Sequence, residues 1–205
     1  MKIISIDVGI LNLAFVCSEL ENDYLSRENV ILYSEIIMCE YVDITSLIYE
    51  CSGNCDLFHE KTICDYMMHF FKKYKEVFDS VDIILIERQP ITGVTCVQEL
   101  ILREYRNKCL LISPTAVLNH FGNLDLERDD RKNKNVVFAK DYLSSFKIFV
   151  FSERRHDMAD AFCILYYYLF LRRKEYKEIQ EHKKFISVNQ NFIKRISDYK
   201  YNGSN

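Results

Sequence analysis

Four acidic residues stand where an acid is costly. Asp7 interrupts the apolar run Ile4-Ser5-Ile6-Asp7-Val8, and Gly9 follows it. Glu87 closes a second apolar run, Val81 to Glu87. Asp157 and Asp160 are three apart at the start of a helical pattern, so they share a face. Met158 and Ala159 lie between them, and Phe162, Ile164, Leu165 and Tyr168 follow, which sets this turn against a core. A buried carboxylate is expensive unless it is paired, hydrogen-bonded or bound to a metal. Each acid also has an ordinary reading. Asp7 could accept turn hydrogen bonds, Glu87 could pair with Arg88 or another basic group, and Asp157 could cap its helix. As a set, clustered carboxylates repel one another unless cations neutralise them. Magnesium prefers such oxygen ligands. Two such ions would stabilise the attacking and leaving oxygens of a phosphodiester displacement.

The elements that would carry these acids can be read from periodicity. Residues 2–9 and 11–18 form a strand pair, with Gly9 at the turn because glycine tolerates positive φ. Residues 29–39 form a third, β-branched strand, so the chain opens with an antiparallel meander. Residues 40–59 are irregular. From Lys61 to Phe78 the apolar residues recur at helical spacing. Residues 81–87 are a strand covered on both faces, ended by Pro90. A helix over 94–108, a strand over 109–113 and a short helix over 114–121 follow. Gly122 to Asn133 is a polar loop, 134–146 a helix and 148–151 a short apolar piece. Ser152 to His156 is a loop into the last helix, 157–184, and 185–205 is a polar tail. With the short helix left out, the order is β-β-β-α-β-α-β-α-α. It predicts an α/β fold with a mixed sheet, a three-strand meander plus parallel strands, flanked by helices. Residues 1–184 read as one domain.

The bulk composition narrows the function classes. The chain has 205 residues, 49% hydrophobic, with two prolines and five glycines, enough for one sizeable core. Asp7 breaks the N-terminal apolar run and no small-residue cleavage site follows, so no secretory signal is read. The longest apolar run, Ala161 to Leu171, is too short to span a bilayer. A soluble, intracellular, non-secreted protein with no membrane partner is expected. The net charge of −3 hides an asymmetry. Residues 1–100 hold 7 basic and 17 acidic side chains, while 101–205 hold 20 and 13. Such a split hints at a polyanion partner. The eight cysteines read as small buried hydrophobes kept reduced. Cys51-x3-Cys55-x3-His59, with Cys64 and His69 beyond, admits a zinc reading. Its spacing departs from C-x2-C and Cys64 falls inside a helix, so unbound cysteines are preferred.

Three blocks carry a family resemblance: Ser5-Ile6-Asp7-Val8-Gly9 with Asn12, Ile86-Glu87-Arg88-Gln89-Pro90, and Asp157-Met158-Ala159-Asp160-Ala161. In order and spacing they resemble the RNase H-like superfamily. Within it they are similar to the RuvC-like Holliday-junction resolvases of poxviruses and other large DNA viruses, over residues 2–172. The resemblance implies an RNase H-like fold and an endonuclease that nicks four-way DNA junctions in pairs, as a homodimer with no small-molecule cofactor. It implies that Asp7, Glu87, Asp157 and Asp160 bind two magnesium ions. It also implies a catalytic basic residue in the loop 128–134, for which Lys132 is the first choice and Lys134 the second. Where relatives carry another acid, this chain has His156. The implied setting is DNA recombination, repair and replication at the site of viral DNA synthesis in a host cell. The basic stretch Arg172-Arg173-Lys174 with Lys177, Lys183 and Lys184 would suit DNA arms. The face of Tyr166, Tyr167 and Phe170, or the helix over 94–106, would suit a dimer interface.

Other functions share these residues. The same carboxylates serve nucleases acting on RNA–DNA hybrids, flaps or structured RNA. A DNA-junction-binding protein on a retired nuclease fold would need no acids. An actin-like phosphotransferase also starts with a strand bearing D-x-G, but it needs a longer chain and a second glycine-rich loop.

Overall fold

A computed structural model of the chain describes residues 1–21, 23–26, 34–51 and 55–202, and side chains at 34, 187–189 and 191–202 are left out. Strands β1 (Lys2–Asp7), β2 (Leu13–Leu20) and β3 (Ser34–Val42) form the opening meander. Helix α1 (Ile63–Ser80) leads to β4 (Ile83–Glu87), and α2 (Thr95–Glu104) leads to β5 (Cys109–Ile112). Then come α3 (Pro114–His120), α4 (Arg128–Leu143), α5 (Lys147–Phe151) and the long α6 (Arg155–Asn202). The sheet order is β3-β2-β1-β4-β5. β1 pairs antiparallel with β2 and parallel with β4, and β4 pairs parallel with β5. The mixed sheet matches the expected fold class.

Side chains alternate across a strand, so β1 feeds two cores. Ile4 and Ile6 meet α1 and α2, with Phe15, Phe70, Tyr74 and Phe78 packed edge to face or tilted around them. Ile3 faces the other way, with Ala14, Val16 and Leu85, against α4 and α6. Helix α1 starts on a capping box: the Thr62 side chain accepts from Asp65 N–H, and Asp65 accepts from Thr62 N–H.

Several boundaries differ from the sequence reading. The third strand spans 34–42 rather than 29–39, and 29–33 lie outside the described residues. Helix α4 starts at Arg128, so the expected loop is helical in its second half. Asp129 and Asp130 favour this start, because acids suit a helix N-terminus. An apolar-periodicity search passes over such a charged turn. Helix α6 continues past Lys184 to Asn202. The first helix-breaking residue there is Gly203, and the polar residues before it are tolerated in helices. The turn at Gly9 also differs. Among the described residues only Gly122 is a glycine with positive φ. Gly9 is needed for close approach instead: a Cβ there would lie 2.6 Å from the Asn12 carbonyl oxygen. Of the cysteines, Cys17, Cys39 and Cys163 are buried, whereas Cys64 and Cys96 are exposed. Among the described residues no helix is long and apolar enough to cross a membrane.

Candidate active site

Strand parity brings the first two acids together. Asp7 shares its face of β1 with Ile3 and Ser5, and Glu87 shares its face of β4 with Ile83 and Leu85. Ile3 and Leu85 belong to the core under α6, so both acids point to that side. Ile6 pairs with Ile86, so Asp7 and Glu87 end adjacent parallel strands at one level. Helix α6 crosses the same face and packs on β1, β2 and β4. Its first two turns deliver Asp157 and Asp160. Carboxylate oxygens of Asp7, Asp157 and Asp160 lie within 4.8 Å of one another. Glu87 stands beside Asp7, within hydrogen-bond reach of its carboxyl.

The four acids line a cleft of about 440 Å³. Arg88, Arg128, Arg131, Lys132 and Arg154 line it too, so a basic wall surrounds an acidic floor. Asp157 is 5% exposed and draws on three cationic or protonatable groups. Lys132 Nζ lies 3.4 Å and His156 Nε2 3.3 Å from its Oδ1, and Arg154 lies 2.8 Å from its Oδ2. The Arg154 contact is off the hydrogen-bonding line, so Oδ2 is charge-paired but accepts no directed bond. Asn135 on α4 donates to Asp160 Oδ1 at 2.7 Å, and the buried Asn123 donates to Asn135 Oδ1 at 2.8 Å. Gln89 donates to Glu87 Oε2 at 3.0 Å, and its own N–H donates to Gln98 Oε1 at 2.8 Å.

These partners do not offset burial. Desolvation, with the Glu87, Asp160 and Asp157 charges behind it, pushes Asp7 well above the ordinary carboxylate range. Burial raises Glu87 as well, against hydrogen bonds from Gln89 and Asp7 and the Arg131 charge. Burial pushes Asp160 up to about 6, against the Asn135 bond and the Lys132 charge. Burial lowers His156, while Asp157 opposes the shift. The acid floor is therefore short of positive charge. Its donors are all oxygens and two of its strand ends are fixed, which fits a hard divalent cation.

The structure gathers Asp7, Glu87, Asp157, Asp160 and Lys132 around one cleft. Lys134 lies elsewhere, with its Nζ donating to the carbonyls of Phe121 and Gly122 and closing the end of α3. Gln89, not Arg88, meets Glu87. Asn12 lies at the cleft, its Oδ1 taking the Tyr41 hydroxyl at 3.0 Å. The sequence reading passed over Asn135, Arg154 and Gln98. Asn135 gave no signal, because it shares a helix face with Lys132 only once α4 starts at Arg128.

No family model and no curated protein matches the sequence. Solved structures do. The fowlpox virus resolvase, crystallised with substrate Holliday junction DNA, aligns with a TM-score of 0.58 at 17% identity. The match covers 82% of this chain and 97% of that one. Thermus thermophilus RuvC aligns at 0.54 and 13%, over 85% and 97%. The yeast mitochondrial Holliday junction resolvase aligns at 0.54 and 18%, over 88% and 83%. The chain therefore has an RNase H-like fold. Its architecture is similar to that of these Holliday junction resolvases.

Proposed function

We propose that the protein is a magnesium-dependent endonuclease that resolves four-way DNA junctions by paired nicks. One observation carries this: four carboxylates from three elements converge in a cleft with basic walls, and three of them are pushed upward by burial. Such a site holds its charges only with a cation. Asp7, Glu87, Asp157 and Asp160 would hold magnesium, two ions per site by the resemblance. When bound, the metal lowers the pKa of water and offsets charge on a phosphoryl oxygen.

The chain's own residues do the rest. Lys132 sits between Asp157 and the open cleft, where its ammonium would meet the scissile phosphate or the leaving oxygen. Arg88, Arg128 and Arg131 would grip flanking phosphates. Asn135 and Gln89 fix the carboxylates of Asp160 and Glu87. His156 stands against Asp157 and orients it. A homodimer would place two such clefts on one junction and so pair the nicks. Residues 1–184 form the resolvase domain in this reading. The likeness to the fowlpox enzyme supports a setting in viral-type DNA recombination and replication inside a cell.

The test is a cleavage assay on a synthetic four-way junction, with matched flap, RNA–DNA hybrid and linear duplex. Symmetric magnesium-dependent nicks in the junction are expected, and Asp7→Asn should bind the junction without cutting it. Preferential cutting of the hybrid or flap would move the protein to another RNase H-like nuclease class. Tight junction binding with no cutting under any divalent metal would make it a binding protein.

A further inference from the structure

The connection between β3 and α1, residues 43–62, is long for a compact domain, and its described residues hold one short 3-10 turn, Leu47–Tyr49. Loops beyond about 12–15 residues without regular structure are uncommon unless something else fastens them. The far part of this connection meets α1 at a cluster of soft donors. Cys51, Cys55, His59 and His69 each offer one ligand atom, and all four atoms lie within 4.8 Å of one another. Cys55 Sγ is 3.6 Å from His69 Nε2, and His69 Nε2 is 3.2 Å from His59 Nε2. Cys64 is exposed on α1 and takes no part.

We propose that Cys51, Cys55, His59 and His69 form a structural zinc site, distinct from the acidic cleft. The donor set is two thiols and two imidazoles, which zinc takes as a closed tetrahedron. The spacing agrees with that solid. With Zn–S of about 2.3 Å and Zn–N of about 2.0–2.1 Å, tetrahedral edges are about 3.6 Å for S···N and about 3.3 Å for N···N. Both observed distances match these edges to within about 0.1 Å. The orientation of His69 agrees as well. Its Nδ1 lies 2.7 Å from the Asp65 carbonyl oxygen, which can only accept, so Nδ1 carries the proton. Its Nε2 is then a bare lone pair, aimed from a ring only 3% exposed at His59 Nε2. Metal-bound imidazoles almost always donate their other ring N–H to a carboxylate, carbonyl or water that fixes the tautomer this way. Without a cation, one proton from His59 must serve this contact, and the Cys51 thiol turns to the Leu47 carbonyl at 3.7 Å.

The site would fasten the connection in a useful place. Ion pairs Lys73–Glu50, at 2.7 Å, and Lys72–Asp56 already tie it to α1, but both are exposed and worth little alone. Upstream, Ile44 N–H donates to the Ile10 carbonyl at 3.1 Å, and Ile44, Leu47 and Ile48 are buried. Zinc at Cys51–His69 therefore braces the segment that backs the turn after Asp7.

Metal content of the full-length protein, purified without added metal and dialysed against a weak chelator, decides this. About one zinc per chain is expected, held in Asp7→Asn and Cys64→Ser and lost in Cys55→Ser and His59→Ala. His59 is exposed, so its replacement perturbs packing least. Cobalt substituted into the wild-type protein should give the intense visible bands of a tetrahedral, thiolate-bound ion, a readout that needs no variant. An octahedral cobalt spectrum would overturn the proposal. So would zinc lost in Asp7→Asn but kept in Cys55→Ser, or a Cys51–Cys55 disulfide in the unreduced protein.

Discussion

Asp160 owes its position to one amide, the Asn135 side chain on a different helix. Outer-shell partners of this kind typically cost about 10–100-fold in metal affinity or activity when removed. Asn135→Ala should show a loss in that range in junction cleavage, with junction binding unchanged. The charges themselves predict a pH effect. Asp160 holds its proton up to about 6 in the fold against 3.8 ordinarily, so the folded state binds more protons between those values. The stability it lends is complete below the lower value and is lost as pH rises through the upper one. Asp7 and Glu87 shift in the same direction. Metal-free protein should therefore melt at a lower temperature at about pH 8 than at about pH 6, and added magnesium should raise the melting temperature more at about pH 8, since metal and protons compete. In chelator above neutral pH, Asp7→Asn should melt higher than wild type, because it removes one of four crowded charges. A lower melting temperature for that variant would mean the acids are already satisfied.

At the scale of elements, the β1–β2 turn is a tight joint. Gly9 faces the Asn12 carbonyl, so Gly9→Ala must push one backbone from another. A cost of about 1–3 kcal/mol is expected, as for overpacking elsewhere, and is measurable by urea denaturation. This joint also shows where sequence reading works and where it stops. The strands and long helices were legible because burial leaves a periodic trace, and the three acid-bearing motifs stood out against apolar neighbours. The role of Gly9 was not legible, because close approach depends on where the Asn12 carbonyl comes to lie, not on a local preference. The start of α4 at Arg128 was hidden because its first turns carry no apolar stripe. That hid the face shared by Lys132 and Asn135. Lys132 and Lys134 look equivalent in sequence, and only the packing of α4 sends one to Asp157 and the other to the end of α3.

At the scale of the whole molecule, part of the basic excess of the second half lines the cleft. Four of the five cations lining the cleft, Arg128, Arg131, Lys132 and Arg154, come from that half, with Arg88 from the first. A polyanion bound there releases counterions, so affinity should fall steeply with salt, and each phosphate contact removed should flatten the log–log slope by about 0.9 on duplex DNA. Arg128→Ala and Arg131→Ala, measured by fluorescence anisotropy on a junction at several salt concentrations, test this. An unchanged slope would take both from the DNA surface. Helix α6 then sets a scale of its own. One unbroken helix carries Asp157 and Asp160 at its start and Arg172, Lys174, Lys177 and Lys184 further along. With a rise of about 1.5 Å and a turn of about 100° per residue, these lysines and arginines stand about 20–40 Å from the acids, at fixed angles around one axis. The helix thus works as a graduated rod. Deleting a single uncharged residue near Lys177 would leave every basic side chain present yet shift the far basic groups by about 1.5 Å and rotate them by over a quarter turn.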